Sequence, residues 1–304
     1  MQIFPRLEGR FAEFVAPARA RSEFWRLALS GFLIGIAFFA GTMITGLVVF
    51  LVFGRAAANR VMSSGSLGAT PESIVFLLSG FCIVFLAVWA IVKLVHRRPL
   101  GTLFGAGPRS TVRNALIAFA VMALITGLGT LYSFFTVGPE PNLPFGVWLR
   151  WMVPVLPLML VQVTAEEVIF RGYLQQQLAA RFRSPWLWMV LPSAVFGSLH
   201  YQPSVMGENA WLAVLITVLV GVIAADITAR TGNIGAAIGL HFVNNFFAMC
   251  FMSLKGSLSG VSLYVTPFSV SDTDPLRPML LVDALSIVVI YGLYLVIVNR
   301  KRRR

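Results

Sequence analysis

The chain has 304 residues, of which 58% are hydrophobic and only 12% charged, with a mean hydropathy of +0.82. This composition excludes a water-soluble globular domain and places the chain among polytopic membrane proteins. The net charge of +12, from 24 Lys+Arg against 12 Asp+Glu, reports orientation and contact with anionic headgroups in such a protein, so nucleic acid is not expected as a partner.

Residues 1–25 are Arg-rich and mixed in polarity, with Arg6, Arg10, Arg19 and Arg21 among Glu8, Glu13 and Glu23. The apolar run that follows is too long for the core of a cleaved signal, so the first hydrophobic segment reads as a retained span. Runs of about 20 apolar residues, enough to cross roughly 30 Å of hydrocarbon, occur near 27–53, 73–95, 115–137, 146–164, 185–200, 210–229, 233–253 and 279–298. The fifth is short and flanked by proline, and only Thr231-Gly232 separates the sixth from the seventh. Backbone polar groups in lipid must be satisfied within each segment. The expected fold is therefore all-α: a polytopic bundle of about eight transmembrane helices over 26–299, after a cytoplasmic segment (1–25) and before a basic cytoplasmic tail (300–304).

Charge placement gives the orientation. With the N-terminus cytoplasmic, the inner segments hold Arg6, Arg10, Arg19, Arg21, Arg26, Lys93, Arg97, Arg98, Arg109, Arg113, Arg181, Arg183, Arg230 and the five residues from Arg300 to Arg304. The outer loops hold only Arg55, Arg60, Lys255 and Arg277. This asymmetry satisfies the positive-inside rule with both termini cytoplasmic, and suits a multi-pass protein of the cytoplasmic (plasma or inner) membrane.

Several features have plain structural readings. Gly31 and Gly35, like Gly221 and Ala225, have the spacing that lets helices approach closely. Trp148, Trp151, Trp186, Trp188 and Trp211 lie near span ends, as in an aromatic belt. Cys82 and Cys250 each sit in an apolar run, which argues against a disulfide framework. The outer loop over 254–278 reads as a connector rather than a lid. His96, beside Arg97 and Arg98, reads as a surface residue, Asp226 as an i+4 partner of Arg230, and Asp283 as interfacial.

Polar residues inside spans are costly and by default functional. Here they include Glu166, Glu167 and Arg171 on the fourth helix, His200 at the end of the fifth, and His241, Asn244 and Asn245 on the seventh. If the fourth helix continues through Gln175, Gln176 and Gln177 and turns at Arg181–Pro185, Glu166 lies about 17 residues before the turn and His200 about 16 after it. At 1.5 Å per residue the two are level in an antiparallel hairpin. His241 then lies roughly 12 Å below the cytoplasmic end of its helix, with Asn245 on the same face one turn on. Arg171 has the i+4 spacing to pair with Glu167, leaving Glu166 available for chemistry.

A carboxylate and an imidazole in a partly dry pocket can activate water for amide hydrolysis. A second His with an Asn one turn away supplies donors for a developing oxyanion. Glu166, His200 and His241 equally match the ligand types of a hydrolytic zinc site with water in the fourth position, and the sequence leaves both schemes open.

These residues resemble a known family. The chain is similar to the CPBP family, the CAAX prenyl protease and bacteriocin-processing intramembrane proteases also called Abi. Glu166, Glu167 and Arg171 match its E-E-x-x-x-R motif, Phe196 and His200 its F-x-x-x-H, and His241 and Asn245 its H-x-x-x-N/D. Phe170–Leu174 and Arg183–Trp186 also look like the family, and the resemblance covers roughly 145–250. It implies an intramembrane endopeptidase in which Glu166 activates water with His200, His241 and Asn245 shape the oxyanion site, and Glu167, Arg171 and Phe196 support the pocket. The implied partners are the lipid bilayer and a membrane-associated protein or peptide substrate, with no cofactor fixed and a divalent metal such as zinc left open. Two other classes fit parts of the pattern. A proton-coupled transporter should show a repeat or paired broken helices, which are not seen in the sequence. A non-catalytic scaffold or immunity factor would keep the fold without needing the pocket.

Overall fold

The computed structural model describes residues 7–62, 67–105 and 107–302. The expected inner charges Arg6, Arg303 and Arg304 lie outside these residues. The chain folds as an all-α polytopic bundle with one small sheet. Its helices are α1 (Gly9–Arg19), α2 (Phe24–Phe53), α3 (Arg55–Met62), α4 (Pro71–Leu94), α5 (Pro108–Thr136), α6 (Phe145–Arg181), α7 (Trp186–Ser198), α8 (Pro203–Thr231), α9 (Gly235–Phe251) and α10 (Thr273–Arg302).

Local chemistry sets several of the ends. At α4, Thr70 accepts from the Ser73 amide while Ser73 returns a bond to Thr70, and Pro71 takes the first helical position. At the end of α8, Gly232 adopts a left-handed conformation (φ 73°) and stops the helix.

Six helices, α2, α4, α5, α6, α8 and α10, are long and apolar enough to cross a membrane. The expected fifth and seventh spans are instead the shorter apolar helices α7 and α9. At 1.5 Å per residue α7 is about 20 Å long, less than the hydrocarbon thickness. It ends in the turn at Leu199-His200, before Pro203 opens α8.

The packing order is α2 on α4, α4 on α6, α6 on α9 and α9 on α5, with α7 on α8 and α10 against both α5 and α8. Small residues govern the close approaches. The backbone of Gly41 meets that of Gly80 between α2 and α4, and a side chain at Gly235 or Gly239 on α9 would run into the carbonyls of Thr111 or Ala115 on α5. Gly221 packs on Ser193 and Ala225 is buried, as expected. Gly31 and Gly35, however, have nothing within 4 Å of a would-be Cβ, so among the described residues no helix packs closely against that pair.

Other expectations change as well. The N-terminal segment contains α1, whose Phe11, Phe14, Val15 and Ala18 form an apolar stripe buried against α6 and α8. Trp188 is buried against Phe11 rather than in an interfacial belt, whereas Trp186 and Trp211 are exposed. The 254–278 stretch is folded rather than a plain connector. Strands β1 (Glu140–Pro141), β2 (Met252–Lys255) and β3 (Tyr264–Ser269) form a sheet of order β1-β3-β2, parallel between β2 and β3 and antiparallel between β1 and β3. Asn142 Nδ2 ties it down by donating to the carbonyls of Ser259 (2.9 Å) and Ser262 (2.8 Å).

Candidate active site

Three helices supply the site, and each contains a local departure from α-helical winding, on α6 and α9 directly beside the residues presented. Directly after Glu167 the α6 ladder widens to π-helix over Val168–Gln175. α7 begins with a π-turn over Trp186–Val190, and α9 changes to π-helix at Phe246, directly after Asn245. Such turns are rare and concentrate at functional sites.

Glu167 is 1% and Arg171 2% exposed, and the expected pair forms, Arg171 Nη1 donating to Glu167 Oε1 at 2.9 Å. The same oxygen lies 2.7 Å from His241 Nδ1. An ionised carboxylate oxygen accepts only, so Nδ1 carries the hydrogen and a neutral His241 presents its Nε2 lone pair on the other side. That Nε2 lies 3.5 Å from Glu166 Oε2, which is buried and makes no hydrogen bond. The order is thus Arg171, Glu167, His241, Glu166, with one imidazole between two carboxylates.

This differs from the expected Glu166–His200 partnership. Among the described residues no hydrogen bond or ion pair joins those two side chains. Phe196, not His200, takes the inward position on α7. Its ring meets Phe170 (4.9 Å between centroids), lies under the Arg171 guanidinium (4.8 Å), and stands edge-on to both His200 (4.9 Å) and His241 (6.0 Å). His200 lies in the turn after α7, is exposed, and its Nδ1 is 2.9 Å from the Phe196 carbonyl. The carbonyl can only accept, so this nitrogen donates and leaves Nε2 as a lone-pair site.

Asn245 donates from Nδ2 to Gln162 Oε1 at 3.0 Å, and Asn244 Nδ2 lies 3.5 Å from Asn245 Oδ1. One amide hydrogen of Asn245 remains for another acceptor. Gln162, buried one turn before Glu166, was missed in the sequence, although its i−4 spacing from Glu166 was a readable signal.

Among the described residues no group of three His, Cys, Asp or Glu side chains is disposed to hold a metal ion. Glu166, His200 and His241 do not assemble as the expected ligand set, because His200 is turned to the Phe196 carbonyl while Glu167 and Glu166 engage His241. Away from the site, Asp226 pairs with Arg230 (2.5 Å) as expected and also accepts from the Tyr291 hydroxyl (2.7 Å).

Residues 146–247 match the family model described as Rce1-like, type II CAAX prenyl endopeptidase. The chain is also similar to the uncharacterized protein YyaK of Bacillus subtilis (strain 168), with 27% identity over 179 residues. That alignment covers 57% of this chain and 59% of the relative, so the chain spans under two thirds of the length of the protein it matches. No solved structure gives a significant match.

Proposed function

Because residues 146–247 carry an Rce1-like segment that contains all seven motif residues, we propose that the protein is an intramembrane endopeptidase hydrolysing a peptide bond of a membrane-associated protein or peptide. The observation that carries this is the imidazole of His241 held between a buried Glu167 paired with Arg171 and a Glu166 whose Oε2 makes no hydrogen bond. Its catalytic core is 145–250, within a bundle over 26–299 whose termini both face the cytoplasm of a plasma or inner membrane.

In this reading Glu166 is the general base. It takes a proton from water as the water oxygen bonds to the substrate carbonyl carbon, and His241 Nε2 lies close enough to share that proton. Glu167 orients His241 through Nδ1 and stabilises its charged form, while Arg171 balances Glu167. The free amide hydrogen of Asn245, held in place by Gln162, is available to the developing oxyanion. When the C–N bond breaks, the proton passes from the Glu166–His241 pair to the leaving nitrogen. His200, exposed and with its Nε2 lone pair free of the Phe196 carbonyl, is available to the substrate. No step needs a metal ion.

The test is cleavage of a library of membrane-anchored peptides by the purified protein in lipid nanodiscs. Glu166→Gln should lower kcat by about 10²- to 10⁴-fold with an unchanged thermal melt. Equal cleavage by the wild type and Glu166→Gln, or none by the wild type across the library, would sink the proposal.

A further inference from the structure

His96 was expected at the surface, yet it is 3% exposed and sits at a junction of helices. Its Nε2 lies 2.9 Å from the Tyr173 hydroxyl and 3.1 Å from Ser30 Oγ on α2. Its Nδ1 lies 3.0 Å from Gln177 Nε2 and 3.2 Å from the carbonyl of Arg21, just before α2. The His96 and Tyr173 rings also meet edge-on at 5.2 Å. One imidazole after α4 therefore joins the start of α2 to two positions on α6.

Tyr173 lies inside the π-helical stretch that begins directly after Glu167 and contains Arg171. A π-turn is less favourable than the α-turn it replaces, so the neighbours must hold it in place. The segment after α4 does so along its length. Gly172 approaches Leu103 so closely that a Cβ would sit 2.7 Å from the Leu103 carbonyl oxygen. Gln176 accepts from Arg98 Nη1 (2.6 Å) and donates to the Thr102 carbonyl (2.8 Å). Within this strap His96 hydrogen-bonds a side chain of the π-turn itself, the Tyr173 hydroxyl.

We infer that His96 is a positioning residue for the active site: by holding Tyr173 it keeps the π-turn wound and so sets where Arg171 and the two glutamates point. This rests on the peptidase reading above. His96 touches neither substrate nor the reacting groups and acts only through α6. A displacement of about 1 Å at such a site lowers turnover by up to about 100-fold, which is the lever this contact controls.

Three substitutions separate this role from general stability. His96→Asn keeps the polar reach toward Gln177 and Arg21 but falls short of Tyr173; Tyr173→Phe keeps the ring and loses the hydroxyl; His96→Gln places an amide nitrogen where Nε2 lies. In the nanodisc cleavage assay, Asn and Phe should each lower kcat about tenfold or more, per folded molecule, with KM changed less than about twofold. Their combination should be no worse than either alone, and Gln should restore most of the turnover. Hydrogen exchange should quicken at the amides of 168–175 in the Asn and Phe variants and stay unchanged in α10. Unchanged turnover in a wild type that cleaves, additive losses, or wild-type exchange at 168–175 would each overturn the inference. If the wild type cleaves nothing, the peptidase reading falls, and exchange at 168–175 alone decides whether His96 holds the turn.

Discussion

The inner helices α6 and α8, the first carrying Glu166, Glu167 and Arg171, and the outer helices solve the membrane problem differently. About half of the most apolar stretch of α6 is buried inside the protein, and 56% of that of α8, against 17% for α2 and α5 and 22% for α10. The outer helices can be apolar all round, because lipid is as good a neighbour as protein. Of the inner ones, α6 holds Glu167, Arg171, Gln175 and Gln176 at 0–2% exposure, each with at least one hydrogen-bond partner in the protein, as a dry surrounding demands. The paired glutamate and arginine of α6 lie where burial comes from protein rather than from lipid.

The largest test of this contrast is the buried pair. Arg171→Met leaves Glu167 with His241 alone and should destabilise by about 3–5 kcal/mol, read as a lower thermal midpoint in detergent. A loss under about 1 kcal/mol would mean that His241 suffices for Glu167 and that α6 is less demanding than it looks.

The next test uses pH. Burial pushes His96 down to about 4 from an ordinary 6.5, so the folded protein holds the neutral imidazole while the unfolded chain protonates below about 6.5. Above that pH there is no cost. As pH falls from about 6.5 toward 4 the unfolded state binds the extra proton, and stability should drop by up to about 3 kcal/mol before levelling off. His96→Gln should flatten that part of the pH–stability curve. An equally steep curve in the variant would assign the loss to other groups.

The smallest effect contrasts two glycines. Gly239→Ala on α9 drives a methyl group into the Ala115 carbonyl and should cost about 1–3 kcal/mol. Gly35→Ala on α2 meets nothing within 4 Å and should stabilise by about 0.5–1 kcal/mol through helix propensity. Equal shifts in thermal midpoint for both would erase the difference between inner and outer helices.

What was legible in the sequence was what one helix decides for itself. The Glu167–Arg171 and Asp226–Arg230 pairs follow from i+4 spacing, and the continuation of α6 through Gln177 follows from its uninterrupted pattern. Partners between helices were less legible. Level heights predicted Glu166 opposite His200, but rotation about the helix axis decides which side chain faces inward, and there α7 presents Phe196 while α9 delivers His241. The π-turns leave no periodic mark, because the apolar pattern reads the same for i+4 and i+5 winding. His96 beside two arginines looks solvated, and only the approach of α2 and α6 shows that it is enclosed. The sheet escaped because its strands are two to six residues long and β1 pairs with β3 across more than a hundred residues of chain.

The π-turn over Val168–Gln175 also limits how this chain can vary in length. A turn of that kind holds one residue more than an α-turn over the same rise, so deleting one residue there would let the ladder relax to ordinary winding and rotate the helix beyond it by about 100°. Gln175, Gln176 and Gln177 would leave Ala225, Thr102 and His96 together. The segment can exchange side chains one at a time, but its residue count behaves as a fixed quantity, with the extra residue acting as the spacer that keeps both ends of α6 in register with their separate neighbours.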